Sequence, residues 1–304
     1  MRITEGHLAR HYQGRRGGRG PALLDIAQDH ALVLLHQVGL FPRGLVFKGG
    51  TSLRKFRAGA AGRFSTDLDF AAPDDGVAVD VMATLADAEI DGFRFHIDRL
   101  EGDGSRADLI VDTPFGRPDV GARIEVSRRP VALPADTLSL IALPVHDRYD
   151  IRLPPTPVIS VEEAIAEKLA RYRRTSLARD LYDLAWFSQR PLDEALVRRL
   201  WVVKVYLDIV DDDRGLPPLD PADVLGERQP RQFAAEDIGY LTQSVDIAAW
   251  IGTVRSRYRF LSAITADEVR WAACNAGHRH EIVAEIERLR HVSQHQSEPE
   301  REPS

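Results

Sequence analysis

LVFKGGTSLRKFRAGAAGRFSTDLDFA, residues 45–71, contains a Gly-Gly-Thr-Ser turn and, after 14 intervening residues, an Asp-Leu-Asp-Phe sequence in an apolar run. Apolar residues on both sides of the turn predict two short strands. Side chains at i and i+2 of a strand point to one face, so Asp67 and Asp69 would lie about 6 to 7 Å apart at Cα. The segment therefore predicts a glycine turn and a pair of carboxylates on neighbouring parts of a small sheet.

This pair of features favours chemistry on a nucleoside triphosphate. A tight turn at Gly49, Gly50, Thr51 and Ser52 can present backbone N–H groups to phosphates. Carboxylates on one strand face can converge on a hard divalent cation, Mg²⁺ or Mn²⁺, which takes oxygen ligands and often keeps substrate phosphates as partners. Two such ions activate an attacking oxygen and neutralise a leaving group. The pattern predicts nucleotidyl transfer, with Asp67 and Asp69 as the catalytic metal ligands.

Each feature also has a structural interpretation. A strand–helix turn needs glycine wherever φ is positive, and an Asp pair at the end of a strand can cap a turn. The glycine turn is not a P-loop, because no lysine follows at the required position. The nucleotide-binding interpretation therefore depends on the turn and the acid pair occurring together.

Two further residues extend the predicted site. Ser65 lies two positions before Asp67 and would orient the triphosphate or a metal-bound water; the alternative is a surface serine. A phosphoryl group on Ser65 would add a charge of roughly −1.5 to −2 and block the site. Glu125, in the alternating sequence ARIEVS, is the first candidate for a third metal ligand, with Asp108 and Asp112 behind it.

A second block, VEEAIAEKLARYRRTSLARDLYDLAWF, follows at residues 161–187. Together the two blocks resemble the AbiE-type (AbiEii/AbiGii) nucleotidyltransferase toxins of bacterial toxin–antitoxin systems, within the polymerase-beta-like nucleotidyltransferase superfamily. The resemblance implies that Lys168 contacts the nucleotide phosphates and that Asp180 assists in the active site. Arginine forks suit phosphate backbones, so the basic edge that follows Lys168 is a candidate RNA-binding surface, formed by Arg171, Arg173 and Arg174. A solvated helix end with cations near its C-terminus is the alternative.

The resemblance also implies what the protein does. It predicts transfer of an NMP, with a pyrimidine favoured, from an NTP to RNA, and most of all to the 3′ acceptor end of tRNA, which blocks aminoacylation and translation. It predicts a cognate antitoxin protein as a partner. Two alternatives stay open from the residues alone: transfer to a small molecule or a protein side chain, and a catalytically silent member that binds only nucleotide or a partner.

The predicted fold class is α/β (α+β). We expect a flexible N-terminus over residues 1–20 and a nucleotidyltransferase core with a small mixed sheet over residues 21–155. A mostly helical C-terminal domain over residues 156–291 would contribute to the active site, and a disordered tail over residues 292–304 would end the chain. The proline-rich sequence at residues 153–157 marks the predicted division.

Composition excludes several classes of protein. The 304 residues include one cysteine, Cys274, which rules out an internal disulfide framework and predicts a cytoplasmic protein. The sequence has neither an apolar run long enough for a bilayer nor a secretory signal, so we expect no membrane partner. The net charge of −6 argues against general nucleic-acid coating. Residues 45–66 nevertheless lack acids and hold five cations, which predicts a local basic cleft. His278 and His280 with Cys274 are interpreted as structural, because their spacing does not fit zinc.

Overall fold

The chain divides into two compact units in the computed structural model, which describes residues 3–149 and 152–296, with side chains up to residue 291. The first unit comprises Met1–Val131, Ala135–Ile159 and Gly239–Ser244. The second comprises Ala132–Pro134, Ser160–Ile238 and Val245–Ser304. Two short segments, Ala132–Pro134 and Gly239–Ser244, therefore belong to a different unit from the residues on either side of them. The sequence did not indicate either segment.

The first unit contains four helices and a sheet of eight strands. Its helices are α1 (Glu5–His11), α2 (Arg19–Gln37), α3 (Gly49–Leu53) and α4 (Asp75–Leu85). Its strands are β1 (Val46–Lys48), β2 (Asp67–Ala71), β3 (Glu89–Ile90), β4 (Phe93–Leu100), β5 (Arg106–Asp112), β6 (Val120–Ser127), β7 (Asp136–Leu138) and β8 (Thr156–Val158). A π-helical stretch, Arg54–Ala58, continues directly from α3.

The sheet is mixed, with the order β3-β4-β5-β6-β2-β1-β8-β7. β2 lies at its centre, antiparallel to β1 and parallel to β6. Alternation of buried and exposed residues along β6 and β5 places Val, Ile, Leu and Ala side chains in the core and polar ones on the other face. The predicted mixed α/β class is confirmed, and the sheet is larger than expected, because β3, β7 and β8 had no clear pattern in the sequence.

The N-terminal segment differs from expectation. Glu5–His11 forms a helix whose N-terminus is capped by the Thr4 side chain, and Leu8 on it is fully buried. α2 then begins at Arg19, inside the glycine- and arginine-rich sequence that predicted a flexible segment. Burial of one leucine and a side-chain cap stabilise this short helix, and single apolar residues of that kind give no periodic signal.

The regular secondary structure among the described residues of the second unit is helical. Its helices are α5 (Val161–Arg174), α6 (Ala178–Phe187), α7 (Glu194–Val210), α8 (Ala222–Leu225), α9 (Ile247–Arg257), α10 (Ala266–Ala272) and α11 (Arg279–Gln296). Its core holds large, fully buried side chains, among them Tyr172, Trp201, Tyr206 and Tyr258. The predicted tail at residues 292–304 lies mostly outside the described residues; residues 292–296 continue the last helix.

A buried carboxylate ties the start of α5 to Ala132–Pro134. The sequence predicts a capping box between Ser160 and Glu163, and the Ser160 hydroxyl does accept from the Glu163 backbone N–H. The Glu163 side chain instead accepts from the backbone N–H groups of Ala132 and Leu133, at 2.8 to 2.9 Å, and from Lys204 Nζ at 2.5 Å. The glutamate therefore joins three segments that are distant in sequence, and it does not cap its own helix.

Within the described part of the chain, no helix combines the length and apolar character that a bilayer crossing requires.

Candidate active site

The glycine turn follows directly from the end of β1. Gly49 has φ = +79°, a conformation that side chains other than glycine rarely adopt. A Cβ built on Gly49 would lie 2.7 Å from Cγ of Asp69, closer than real Cβ contacts allow. The Asp69 carboxylate therefore packs directly on the backbone of the turn, and Gly49 is required both by its φ and by this close approach.

Gly50 also has no room for a side chain, because two neighbouring side chains occupy that space. A Cβ there would lie 2.9 Å from Cζ of Arg63 and 3.0 Å from Oγ of Ser65. Both side chains are buried, with Arg63 5% and Ser65 6% exposed. The Asp69 carboxylate therefore packs on Gly49, whereas the Arg63 guanidinium and the Ser65 hydroxyl pack on Gly50.

β2 presents the predicted acid pair at the centre of the sheet. Asp67 and Asp69 are half-buried and alternate with the buried Leu68 and Phe70, so they share one face as the sequence predicts. Lys48 lies directly opposite Asp69 on β1. Residues opposite each other on paired strands share a face, so Lys48 lies on the same face of the sheet as Asp69.

Glu125 lies beside Asp69 on the other neighbouring strand. The two residues are register partners between β2 and β6, which places their side chains on the same face of the sheet. One Glu125 oxygen accepts from Arg106 Nη2 at 3.2 Å. Asp108, the second candidate for a third ligand, lies 3.7 Å from Arg123, and both are largely exposed.

The hydroxyl groups of the turn bond within the protein. Thr51 Oγ1 donates to the backbone oxygen of Asp67, which fastens the turn to β2. Ser52 Oγ donates to the backbone oxygen of Gly49 at 3.0 Å. Their protons are engaged in the fold, and any contact with a phosphate would involve the backbone of the turn.

Three of the five cations in the acid-free run are neutralised by carboxylates. Arg54 donates to both carboxylate oxygens of Asp25, at 3.0 and 3.1 Å. Lys55 donates to Asp29 at 2.6 Å and to Asp25 at 3.1 Å. Arg57 donates to an oxygen of Asp136 at 2.6 Å. The positive charge that these three cations could offer to a ligand is therefore smaller than the run suggests.

Asp25 and Asp29, the buried acids that bond to Arg54 and Lys55, stay ionised. Burial alone raises the pKa of Asp25, but the Arg54 guanidinium and the Lys55 ammonium outweigh it and hold that pKa well below its usual range. The same competition between burial and the charges of Lys55 and His146 lowers the pKa of Asp29 to about 2. Burial raises the pKa of Tyr149 well above its usual value, and its hydroxyl donates to Asp29 at 2.8 Å.

Arg54 also fixes the loop that leads from the turn to β2. Its Nη1 donates to the backbone oxygen of Gly62 at 2.6 Å, and its guanidinium lies 3.6 Å from the centre of the Phe64 ring. The Phe64 backbone N–H donates to the oxygen of Tyr240 at 2.9 Å, and Gln28 Nε2 donates to the oxygen of Ser65 at 3.0 Å. The loop that carries Arg63 and Ser65 is therefore held from several sides.

The second block forms its own ionic cluster in the helical unit. Lys168 Nζ donates to Asp183 at 2.6 Å and lies 3.9 Å from Asp180. Arg171 donates with two nitrogens to the two oxygens of Asp180, through Nε at 2.6 Å. Asp180 and Asp183 have no exposed surface, and Lys168 is 5% exposed. The arrangement places the Lys168 ammonium group between two carboxylates.

The remaining residues of the predicted RNA surface also bond within this unit. Arg173 donates to Asp223 at 2.6 Å and to two backbone oxygens, those of Leu216 and Pro218. Arg174 lies 3.4 Å from Asp208. These contacts reduce the positive charge that the helix end could offer to a nucleic acid, and the RNA-binding role of this surface stays a prediction.

The acids of β2 suit a metal that brings its own remaining ligands. Among the side chains described, those of residues 3–149 and 152–291, no three or more His, Cys, Asp or Glu residues form a group able to hold a metal ion. Mg²⁺ is commonly bound by one or two carboxylates, with waters and substrate phosphates as its other ligands. Asp67 and Asp69 on one strand face, beside the glycine turn, fit that donor set, and Glu125 as a third ligand stays a prediction.

The histidines near Cys274 have local partners. His278 Nδ1 lies 2.9 Å from a carboxylate oxygen of Glu281, and His280 Nδ1 lies 3.1 Å from the oxygen of Gly277. These contacts give both histidines partners within the fold, and their structural role stays a prediction.

Comparison with known proteins decides the family. The sequence model described as nucleotidyl transferase AbiEii toxin, type IV toxin–antitoxin system, matches residues 33–272, which include both sequence blocks. The chain belongs to the AbiEii toxin family. It is therefore a nucleotidyltransferase toxin of a type IV toxin–antitoxin system, with an NTP as substrate and an antitoxin as partner.

Solved structures agree with membership of the AbiEii family. The chain is similar to MenT4, a nucleotidyltransferase toxin from Mycobacterium tuberculosis H37Rv, with 51% identity, a TM-score of 0.91, and coverage of 95% of this chain and 99% of that one. JHP933 from Helicobacter pylori matches with 16% identity and a TM-score of 0.43 over 84% of this chain and 93% of that one, a likeness that carries no argument. No curated protein matches.

Two contacts near the turn had no signal in the sequence. Arg63 was predicted only as one of five cations in a basic run, and nothing in that run indicated that it packs against Gly50. Tyr240 lies 176 residues after Phe64, with which it forms an isolated bridge, so only tertiary structure brings the two together.

Proposed function

We propose that this toxin transfers a nucleoside monophosphate, preferentially a pyrimidine nucleotide, from an NTP to a hydroxyl at the 3′ end of tRNA. A bond forms between the acceptor oxygen and the α-phosphorus, the bond to the β-phosphate breaks, and pyrophosphate leaves; the hydroxyl proton passes to a carboxylate or to water. The acceptor and the nucleotide preference rest on what the toxin family implies, and blocked aminoacylation would be the consequence for the cell.

The observation that carries the proposal is the packing of the Asp69 carboxylate on Gly49. It joins the acid pair of β2 to the turn, so a triphosphate on the turn would lie next to the carboxylates. Asp67 and Asp69 would hold Mg²⁺ or Mn²⁺. When bound there, the metal neutralises charge on the pyrophosphate and activates the acceptor oxygen.

The residues of the chain itself bind and orient the nucleotide. Backbone N–H groups of Gly49 and Gly50 would face the phosphates, because neither residue carries a side chain to block them. Thr51 keeps the turn against β2 through its bond to the oxygen of Asp67. Ser65, buried beside Gly50, limits the space around the phosphates.

Lys168 and Asp180 are proposed participants on the second unit. Lys168 bonds to Asp183 and lies close to Asp180, and a lysine ammonium group can serve as a point charge for phosphate. Asp180 would hold Lys168 and Arg171 in place. The Lys168→Ala variant should lose growth inhibition while it stays folded, as judged by its circular dichroism spectrum.

The test of the proposal is incubation of the purified protein with each labelled NTP, total tRNA and Mg²⁺, followed by sequencing of RNA 3′ ends. Removal of a metal ligand forfeits several kcal/mol of transition-state stabilisation, so Asp67→Asn and Asp69→Asn should each reduce transfer on the order of a thousandfold. Asp98→Asn, at an exposed position on β4, serves as the control. Label found only in protein would contradict the tRNA acceptor, and no labelled product from any NTP would contradict nucleotidyl transfer.

A further inference from the structure

The connection between α1 and α2 forms an exposed basic turn, which comprises residues 10–19. Residues 6–24 contain four arginines and neither Asp nor Glu. Arg10, Arg15 and Arg16 are exposed, and within the described part of the chain none of these three pairs with a carboxylate. Arg19 differs from them, because it donates to Glu5 at 2.7 Å. The basic turn therefore presents three guanidinium groups whose charge no acid neutralises.

Backbone hydrogen bonds fix the conformation of the basic turn. The N–H of Gly14 donates to the oxygen of Ala9 at 2.8 Å, and the N–H of Gly18 donates to the oxygen of Arg15 at 3.2 Å. Gly14 and Gly17 have φ values of +63° and +80°, which other residues rarely adopt. The turn is thus ordered in the free protein, and less backbone entropy is lost when it binds a partner.

Tyr240 joins the basic turn to the loop that precedes β2. Its hydroxyl donates to the oxygen of Tyr12 at 2.9 Å, and its backbone oxygen accepts from the N–H of Phe64 at 2.9 Å. A Cβ built on Gly18 would lie 2.5 Å from Cζ of Tyr240, so the turn packs directly on this tyrosine. Phe64 directly precedes Ser65, which packs on the glycine turn. One tyrosine side chain therefore separates the basic turn from the loop at the candidate nucleotide site.

The arginines of the basic turn differ from those of the RNA surface predicted from the sequence. Guanidinium nitrogens of Arg171, Arg173 and Arg174 lie 2.6 to 3.4 Å from carboxylate oxygens of the helical unit. The three exposed arginines of the basic turn have no such compensation. Their charge remains available to a polyanion, and the guanidinium fork matches the geometry of a phosphate group.

We infer that the basic turn binds the phosphate backbone of the acceptor RNA beside the candidate active site. This inference rests on the proposed function and adds the surface that holds the acceptor. Segments rich in arginine and glycine bind nucleic acid through its backbone and do not read its sequence. The basic turn would therefore contribute affinity and orientation, and other contacts would select the tRNA. On a protein of net charge −6, a local group of cations steers a polyanion to one face.

The test is the binding of fluorescently labelled total tRNA to the full-length protein, measured by fluorescence anisotropy without NTP. Each phosphate contact adds roughly −0.7 to −0.9 to the slope of log K against log salt concentration. A triple variant that combines Arg10→Ala, Arg15→Ala and Arg16→Ala should therefore give a slope that is less steep by about 2 to 3 between about 50 and 200 mM KCl. It should bind tRNA at least about tenfold more weakly at about 150 mM KCl.

Transfer assays with the same triple variant separate binding of the acceptor from binding of the nucleotide. We expect KM for tRNA to rise at least about tenfold, while KM for the NTP changes less than about threefold. A rise in KM for the NTP alone, with tRNA binding unchanged, would contradict a role in binding the acceptor.

The matched control combines Arg43→Ala, Arg94→Ala and Arg128→Ala, which removes the same charge from exposed ion pairs of the same unit. Its affinity for tRNA and its salt slope should stay close to those of the wild type. Equal losses in the two triple variants would show an effect of net charge alone and would overturn the inference. All six side chains are exposed, so both variants should keep the circular dichroism spectrum of the wild type.

Two further outcomes are distinguishable. If the basic-turn variant binds tRNA like the wild type and escapes neutralisation by the co-expressed antitoxin, the surface contacts a protein and the inference is wrong. Because binding is measured without NTP, a wild-type protein that binds tRNA through the basic turn but transfers no nucleotide would contradict the proposed function and support the inference.

Discussion

At the scale of single residues, Gly49 and Gly50 lack side chains for separate physical reasons. Gly49 combines φ = +79° with the close approach of Asp69. Gly50 has an ordinary φ, and only the packing of Arg63 and Ser65 excludes a Cβ. The sequence shows a pair of equivalent glycines, whereas the tertiary structure assigns each to a different charged partner.

These contacts predict the effect of adding one methyl group. Gly49→Ala should displace the Asp69 carboxylate and strain the backbone, and Gly50→Ala should displace Arg63, so we expect transfer activity to fall at least about tenfold in each. Gly20→Ala is the control, because a Cβ there has no heavy atom within 4 Å and the residue is helical. Rates measured with labelled NTP check the prediction, and wild-type activity of Gly50→Ala would contradict the packing described for Arg63.

Asp29 gives a prediction about pH. Its pKa of about 2, set by burial against the charges of Lys55 and His146, is below the value of roughly 3.9 expected in the unfolded chain. The unfolded state therefore binds more protons than the folded state between these values, so the stabilisation is present above about pH 4 and is lost as the pH falls towards 2.

The size of the effect follows from linkage. At pH 3 the contribution of Asp29 should be smaller by about 1 kcal/mol than at pH 6. Urea unfolding at both pH values should show a larger loss of stability for the wild type than for Asp29→Asn, which cannot titrate there. Asp25 titrates in both proteins, so it largely cancels in the comparison. Equal losses in the two proteins would show that Asp29 does not carry this dependence.

At the scale of secondary-structure elements, the link between α5, α7 and Ala132–Pro134 depends on Glu163. Its carboxylate is fully buried and accepts from two backbone N–H groups and from Lys204. Burial by itself lowers the pKa of Lys204, but the charges of Glu163 and Glu167 outweigh it and raise that pKa above its usual value. The sequence predicted Glu163 as part of an N-terminal capping box, whereas its side chain bonds to residues that are distant in sequence.

Removing one charge of the buried pair Glu163 and Lys204 should lower the free energy of unfolding. Glu163→Gln leaves Lys204 with less compensation, so we expect a loss of about 3 to 5 kcal/mol in the free energy of unfolding. Glu162→Gln, at a half-exposed neighbouring position, should change it by less than about 0.5 kcal/mol.

A double-mutant cycle separates the pair from the packing around it. Combining Glu163→Gln with Lys204→Met should cost less than the sum of the single variants, because neither charge is then left buried without a partner. Urea unfolding of the four proteins measures this coupling, and strictly additive losses would contradict an ionic link.

At the scale of the whole molecule, Gly239–Ser244 belongs to the first unit, although the residues on either side of it belong to the second. Tyr240 forms an isolated antiparallel bridge with Phe64, and its hydroxyl donates to the oxygen of Tyr12 at 2.9 Å. Gln243 donates to the oxygen of Ala61 at 3.3 Å. This short segment therefore supports the loop that carries Arg63, and positioning of the candidate site depends on residues from late in the chain.

Gly239 is the place to test this dependence. It has φ = +86°, and a Cβ there would lie 2.5 Å from the oxygen of Phe64. We expect Gly239→Ala to loosen the loop, which hydrogen exchange would detect as faster exchange of the Phe64 amide, and to raise KM for the NTP. Gly252→Ala, on α9 with no heavy atom within 4 Å of its Cβ, should instead leave exchange unchanged and stabilise the helix slightly. Unchanged protection of Phe64 in Gly239→Ala would contradict a supporting role for the segment.

Much of this architecture follows from the sequence alone. The apolar residues on both sides of the glycine turn predicted two short strands, and β1 and β2 form there. The two motif blocks predicted the toxin family, and the family comparison confirms it. Strand period alone was enough to place Asp67 and Asp69 on one face.

Tertiary structure decided what no local pattern encodes: which groups each charged side chain contacts. Arg54, Lys55 and Arg63 look alike in sequence, yet two of them bond to acids of α2 and the third packs on Gly50. The choice depends on the partners that distant segments bring within about 3 Å, and electrostatic and steric contacts at that range are set by packing in three dimensions.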